Sequence, residues 1–526
     1  MRKLFVGVLA ILLFAPITVA QQSLSEGIVS KIRDEAFQRS QIEALTFYLT
    51  DYAGPRLVGS KLGERAEILA KEKLIQLGFP NVRIEYAADF PVGGWDNLKT
   101  YAAMTEPYYS NLVAVPKGWS GSTNGLVRGE VVLLDVKTPE DVEKYRGKLT
   151  DKIVLMPERY KYALNYNQIS LARRYTDEQL DEFAGTQPLT PLPSSSTTVS
   201  MLDRSFWEVL GQLNSLLREE KPSVIIHGLG SFNVTSSGMV DLETAVDKNV
   251  LGIYRYNWSR PPESIAELNL PIEAHGRMAR LIANNIPVSM EVEIKNEFYD
   301  NQVVNNVIAE IPGTDPNLKD EVVLIGAHLD SWFGGTGASD NAASCAVMIE
   351  AMRIIKETGI QPRRTIRLAL WGGEELGMLG SQGYRQNFLY DYDENRLKEG
   401  YDKFALYLNQ DNGSGKIRGI HLEENDMAFS FFKEWNSALD TLGLAVLSPQ
   451  RNGGQDHLSF DHIGLPSYTF IQDLLEYGRS IHNIMDVYER LNLDDMKYNA
   501  AVIASLALSA AMDNDKIPSR SVPGLP

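Results

Sequence analysis

Six side chains in the second half of the chain are of types that hold divalent ions and move protons: His328, Asp340, the adjacent pair Glu374 and Glu375, Asp411 and His482. Five of them make a ligand set. Two imidazoles and three carboxylates suit two hard-to-borderline ions with one carboxylate shared between them. The remaining glutamate, Glu374, is then free to act as a base toward an activated water. Adjacent residues point apart, so Glu374 and Glu375 cannot easily chelate one ion together; one can ligate while the other faces the water. His328 and Asp330 are two apart and point to the same side of an extended chain. The Asp330 carboxylate can therefore accept a hydrogen bond from the second ring nitrogen of His328 and fix its tautomer. Asp340 is read as opening a helix, and Gly334-Gly335-Thr336-Gly337 before it lets backbone approach a bound group closely.

Each residue alone has a plainer reading. An aspartate before a helix is usually an N-cap, and Asp411 in Asn409-Gln410-Asp411-Asn412-Gly413 could be a turn residue. What those readings do not explain is the shared placement. From Glu321 onward the pattern predicts strands at 322–325, 365–370, 404–408 and 468–471, alternating with helices at 342–356, 381–389, 427–442 and 496–512. That alternation predicts an α/β fold: a mixed, mostly parallel sheet with helices on both faces. Ligands in such sheets sit beyond the carboxyl ends of the strands. His328, the Glu374-Glu375 pair, Asp411 and His482 each follow one of these strands. His227, His275, His421 and His462 have no such context and are read as structural.

The 526 residues exceed one hydrophobic core, so at least two domains are expected. A net charge of −17 excludes nucleic acid and anionic membrane as main partners. Residues 1–20 read as a signal peptide: Arg2 and Lys3, an apolar run from Leu4 to Ile17, then Thr18-Val19-Ala20 at the cleavage positions. A secreted or periplasmic protein is expected, without stable membrane insertion. Cys345 is the only cysteine, so no intramolecular disulfide forms; it reads as a small buried apolar residue. Residues 21–115 are assigned to the N-terminal part of the main domain and 284–515 to the rest of it. Residues 116–283 have short buried strand signals and read as an inserted, mostly-β domain, and 516–526 as a flexible tail. The insertion is expected to contribute no ligand and to wall one side of the cleft. A homodimer is among the assemblies the sequence allows.

Four stretches together resemble the zinc exopeptidase family of aminopeptidase Y and plasma glutamate carboxypeptidase: Gly326-Ala327-His328-Leu329-Asp330-Ser331, Gly337-Ala338-Ser339-Asp340-Asn341-Ala342-Ala343, Trp371-Gly372-Gly373-Glu374-Glu375-Leu376-Gly377 and Leu379-Gly380-Ser381. Asn409-Gln410-Asp411, Asp456-His457, His482 with Asp486, and the Gly54-Pro55-Arg56 loop fit further stations. The resemblance implies two zinc ions per chain, one held by His328 and Asp411, the other by Glu375 and His482, with Asp340 bridging. It implies Glu374 as general base, assisted by Asp330, and Asn341 and His457 near the substrate. It also implies short peptides as substrates and a protease-associated character for the insertion. Ile481 stands before His482 where relatives carry a second histidine. Two other classes share the scaffold: glutaminyl cyclase-like acyltransferases, which use one zinc, and non-catalytic receptors. The intact ligand set and base favour a two-metal hydrolase.

Overall fold

The computed structural model describes residues 24–90, 92–157, 172–185, 204–229 and 265–526. The signal-peptide segment 1–20 and the Pro/Ser/Thr-rich 188–200 lie outside the described residues. In chain order the strands are β1 (Arg83–Phe90), β2 (Gly94–Glu106), β3 (Ser110–Asn111), β4 (Val115–Pro116), β5 (Val127–Leu133), β6 (Ile153–Leu155), β7 (Val224–Leu229), β8 (Glu267–Pro271) and β9 (Ser289–Tyr299). They continue with β10 (Gln302–Ile311), β11 (Val322–His328), β12 (Thr365–Trp371), β13 (Tyr390–Asp391), β14 (Arg396–Leu397), β15 (Phe404–Asn409), β16 (Ile417–His421), β17 (Val446–Ser448) and β18 (Ser467–Gln472).

One eight-stranded sheet has the order β1-β10-β12-β11-β15-β18-β16-β17. Its middle strands β12, β11, β15 and β18 run parallel, with antiparallel pairings at both flanks. The middle strands are near-continuous apolar runs because both faces are covered. In β11, Val323, Ile325 and Ala327 face a core built with the helices Glu26–Gln38, Ala343–Glu357 and Leu493–Met512, while Leu324 faces Trp371, Tyr407 and Phe460 on the other side. Helix Leu493–Met512 is buried continuously from Asn499 to Ala511, which is why its sequence from Ala500 onward is almost uniformly apolar. This is the expected α/β sheet, and its parallel strands deliver all their carboxyl ends to one edge.

The second sheet has the order β3-β2-β9-β5-β6-β7-β8-β4. It reaches beyond 116–283 on both sides, because β2 and β9 pair with each other over almost their whole length. Between β2 and β5 the chain forms only the two short strands β3 and β4. Parallel pairing of β5 through β8 requires crossovers. Helices Pro139–Glu143 and Arg204–Glu220 lie in the β5–β6 and β6–β7 connections, and helix Ile272–Ala283 follows β8, so this sheet carries more helix than the sequence reading placed there. Residues 516–526, expected as a flexible tail, are pinned instead. Ile517 is in the core, the Arg520 guanidinium pairs with the buried Asp461, and Asn425 donates to the Pro518 carbonyl.

Candidate metal centre

β11 ends on His328, β12 is followed within four residues by the Glu374-Glu375 pair, and β15 ends two residues before Asp411. His482 arrives on the loop that follows β18. The four strand ends and the Gly337–Asp340 bend converge. His328 Nε2 lies 3.0 Å from Asp340 Oδ1 and 3.1 Å from Asp411 Oδ1. His482 Nε2 lies 3.0 Å from Asp340 Oδ2 and 3.1 Å from Glu375 Oε2. The two oxygens of Asp340 thus face two different imidazoles. Glu374 is not a spectator, since one of its oxygens lies within 4.8 Å of the ligand atoms of His328 and Asp411.

The backbone around these groups is held from below. Asp340 is not a helix cap: its φ/ψ of −131°/86° is non-helical, and the α-helix starts three residues later at Ala343. The Asp486 carboxylate accepts the N–H groups of Ser339 (2.6 Å) and Asp340 (3.0 Å). Asp330 does the same for the other half, accepting the N–H groups of Glu374 (3.0 Å) and Glu375 (3.3 Å). This corrects the expectation for Asp330. The His328 Nδ1 hydrogen bond goes to its backbone carbonyl at 3.0 Å, with the carboxylate at 3.5 Å. The tautomer is fixed as foreseen, but the side chain positions the glutamate pair. Gly337 adopts φ +57°, and a Cβ there would sit 2.3 Å from Ser331 Cβ, so only glycine allows the turn into Asp340.

Burial and charge are at odds across the site. His328, Asp340, Glu375 and Asp411 are all buried, and His482 alone keeps a quarter of its side chain (24%) exposed, its ring edge-on to Trp332. Burial, and behind it the Asp340 charge, pushes the Glu375 carboxyl up to about 7; burial pushes Asp411 to about 6 and Asp456 to about 7. Glu374 is driven well above the usual carboxylate range, first by burial and then by Asp411, Asp456 and Glu375 acting against His328. Burial would lower the His328 pKa, but Asp411, Asp330 and Asp340 hold it well above the usual histidine value. Carboxylates thus outnumber imidazoles in a dry pocket, an arrangement that cations relieve.

The side chains present fit such ions. The donors form two nitrogen–oxygen groups joined by one carboxylate, and Glu375 Oε1 is buried without a hydrogen-bond partner. Adjacent ligands of a tetrahedral ion with bonds of about 2.0–2.1 Å stand roughly 3.3 Å apart, close to the separations seen. His328, Asp411 and Asp340 would hold one ion, and Glu375, His482 and Asp340 the other.

Two expected substrate contacts do not reach the cleft. Asn341 is fully buried and donates to the Gln410 carbonyl at 3.1 Å, and His457 is fully buried 3.4 Å from Glu423. Cys345 is buried and inert as expected, its thiol donating to the His328 carbonyl while burial raises its pKa to about 12. Two residues were not singled out from sequence. The Tyr477 hydroxyl lies 3.5 Å from the Asp411 carbonyl, and burial holds its pKa well above the usual value, so it stays a neutral donor. Arg56 is buried and donates to the carbonyls of Leu329 (2.6 Å), Thr336 (2.5 Å) and Gly337 (2.8 Å), gripping both ends of the loop between His328 and Asp340. The only sequence signal for Tyr477 is its place five residues before a ligand; Arg56 was visible only as part of a matching loop.

The second sheet borders this centre. Trp95, Val115 and Trp119 share one apolar cluster with Trp332, Phe333 and Leu376, and the Trp95 and Phe333 rings meet edge-on at 4.9 Å. Between them lies a cavity of about 440 Å³ lined by Leu57, Trp95, Asp96, Phe333 and Ile484.

A profile of peptidase family M28 matches residues 306–507, the stretch that carries all six chemical residues. Carboxypeptidase Q of Mus musculus is 24% identical over 502 residues, covering 95% of this chain and 90% of that protein. The crystal structure of a peptidase M28 precursor from Shewanella amazonensis superposes with a TM-score of 0.62 at 24% identity, covering 94% of this chain and 99% of that one. BSAP, a zinc aminopeptidase from Bacillus subtilis, superposes with a TM-score of 0.53 at 16% identity, covering 91% and 98%. The two superpositions bear on the fold, and the profile falls on the residues whose side chains form the centre: residues 306–507 are similar to peptidase family M28, and the chain is a metallopeptidase.

Proposed function

We propose that this protein is an exported dinuclear zinc exopeptidase that hydrolyses short peptides. One observation carries the two-ion reading: Asp340 turns its two oxygens to two imidazoles, each at 3.0 Å, as a carboxylate bridging two ions does. Bound there, the ions would polarise the scissile carbonyl and acidify a water. The protein's own groups do the rest. Glu374, beside His328 and Asp411, takes a proton from the attacking water and returns it to the leaving amine as the C–N bond breaks. Its raised proton affinity suits both halves of that transfer. Tyr477 can donate a hydrogen bond to the carbonyl oxygen as it gains charge. Asp330 and Asp486 keep the glutamate pair and Asp340 from relaxing.

The presence of both halves of the ligand set and of Glu374 speaks for hydrolysis over the one-zinc acyl transfer of a cyclase. Export is supported by the residues at 1–20, and no helix among the described residues is long and apolar enough to cross a membrane. The wall formed by the inserted sequence supports selection of short substrates. The carboxypeptidase Q relative supports action at a chain end. Elemental analysis of the purified protein, with a panel of aminoacyl anilides, free dipeptides and N-blocked dipeptides, tests this. Two zinc ions and cleavage of short free peptides are expected. One ion at saturation, or cyclisation of N-terminal glutamine without hydrolysis, would overturn it.

A further inference from the structure

Residues 172–185 belong to the inserted sequence but lie on the catalytic sheet. Thr176 caps the helix Asp177–Ala184, whose Leu180 and Phe183 form a small core with Val446 of β17 and Ile471 of β18, joined by Tyr175. Gln450 closes the far end by donating to the Gly185 carbonyl at 2.9 Å. The near end is polar. Arg174 Nη1 donates to Asp473 Oδ2 (2.9 Å) and Asp495 Oδ2 (2.7 Å), Tyr175 N–H donates to Asp473 Oδ1 (2.9 Å), and the Leu475 N–H donates to the Arg173 carbonyl (3.0 Å).

These contacts fall at the root of one loop. Asp473 is the first residue after β18, and the loop from there carries Leu475, Tyr477 and His482. Its backbone is not at rest by itself. Leu475 has φ +41° and His482 φ +53°, both in the left-handed region that costs a side-chain-bearing residue about 1–2 kcal/mol. Such conformations persist where surrounding contacts over-determine them. At its far end the loop is tied by the Ser339–Ser480 hydroxyl pair at 2.9 Å; at its root the ties include the arm, Arg418, which reaches the same Asp473, and the Asp473 N–H, which donates to the Lys416 carbonyl at 2.9 Å.

We infer that the 172–185 arm braces the loop that presents His482 and Tyr477, and that Arg174 is a positioning residue for the His482 half of the metal centre. The inference rests on the dinuclear reading of that centre. An insertion that wraps back in this way makes the inserted sequence part of the working site as well as its wall. The arm is reached without disturbing a core, because the Arg174 side chain is 45% exposed.

The test compares Arg174→Ala and Arg174→Lys with the parent full-length protein, by hydrogen exchange and by zinc titration against a chelator. In Arg174→Ala, exchange across 474–482 should accelerate while β11 and β12 keep their protection. Affinity for one of the two zinc ions, the one that His482 would hold, should fall about 10–100-fold, the range for lost supporting contacts of a metal ligand. Arg174→Lys should recover part of both, as a single ammonium cannot span two carboxylates as well. Unchanged exchange in 474–482, faster exchange spread over the whole protein, or a loosened loop with unchanged zinc affinity would each overturn the brace. A parent protein that holds only one ion overturns the dinuclear reading instead; loop exchange and the affinity for that ion still decide for or against Arg174.

Discussion

Arg56→Met is the most demanding single substitution the site suggests. The guanidinium is fully buried, and no carboxylate is among its hydrogen-bond acceptors: it donates to the carbonyls of Leu49 (3.0 Å), Leu329 (2.6 Å), Thr336 (2.5 Å) and Gly337 (2.8 Å). Hydrogen bonds to a charged group contribute about 1.5–3 kcal/mol each, and an orphaned buried carbonyl costs about 1–3 kcal/mol. Methionine fills the apolar part of the space and removes the cost of burying a charge, which is several kcal/mol. Gly337 keeps a partner, because its carbonyl also accepts the Ala342 N–H at 3.0 Å. The net loss comes to about 3 kcal/mol, toward the severe end for one substitution.

The functional effect should exceed what stability alone predicts. Leu329 follows His328, and Gly337 stands three residues before Asp340, so Arg56 sets the span between two ligands. Zinc affinity should therefore fall about 10–100-fold even where the variant is fully folded. Urea unfolding measures the first quantity and chelator competition at low denaturant the second. Arg56→Lys should recover only part of each, because one ammonium cannot span carbonyls arranged around a planar fork. A stability loss under about 1 kcal/mol, or unchanged zinc affinity in a destabilised protein, would refute this reasoning.

Glu374→Gln should keep the fold and both ions but lose about 10²–10⁴-fold in kcat, and near-normal turnover would remove Glu374 from its role. Asp340→Ala should weaken both ions together in a zinc titration, whereas His482→Ala should weaken one; equal effects of the two would count against a bridge. Burial, with His457 adding to it, depresses His421 to about 4. The unfolded chain then binds its proton first, so the fold should lose about 3 kcal/mol as pH falls from about 6.5 to 4 and nothing more from this group below that. His421→Gln should flatten the unfolding free energy across that window, and an unaltered slope would show that His421 does not control it.

The parallel strands and the six chemical residues were legible because both signals are local. Runs such as Val322-Val323-Leu324-Ile325 announce strands buried on two faces, and a residue just past such a run must lie at the sheet edge. What supports those residues was not legible. Asp330 sits two residues from His328, which invited a side-chain hydrogen bond, yet its carboxylate serves backbone N–H groups 44 and 45 residues away. Arg56 binds carbonyls 273 to 281 residues downstream, and a carbonyl has no residue identity by which to be found. Burial of His457 and Asn341 was likewise hidden, since a polar type beside a ligand reads equally as a cleft wall or as a buried support.

The limits of the insertion show the same difference between composition and pairing. Texture changes near Pro116 and again near Ala283, and composition alone puts the ends of the insertion there. Pairing puts the change elsewhere. Phe90 pairs with Gln302 at the end of β1–β10, and Gly94 pairs with Tyr299 at the start of β2–β9. The chain therefore leaves the catalytic sheet and returns to it through one antiparallel ribbon, so the entry and exit of the insertion are neighbours, as an insertion into a closed core requires. β2 carries no legible signal because its exposure follows no simple alternation: two buried runs, 94–96 and 102–104, flank an open middle, and the strand ends exposed at Glu106. The ribbon fixes the second sheet at one side of the metal centre, where Trp95 meets Phe333, and the 172–185 arm fixes it at another, where Arg174 meets Asp473. A body attached at a ribbon and again at an arm has little freedom to swing. The position of the second sheet beside the metal centre is thus fixed by the fold, which is the property the proposed exopeptidase needs if it is to select peptides by length.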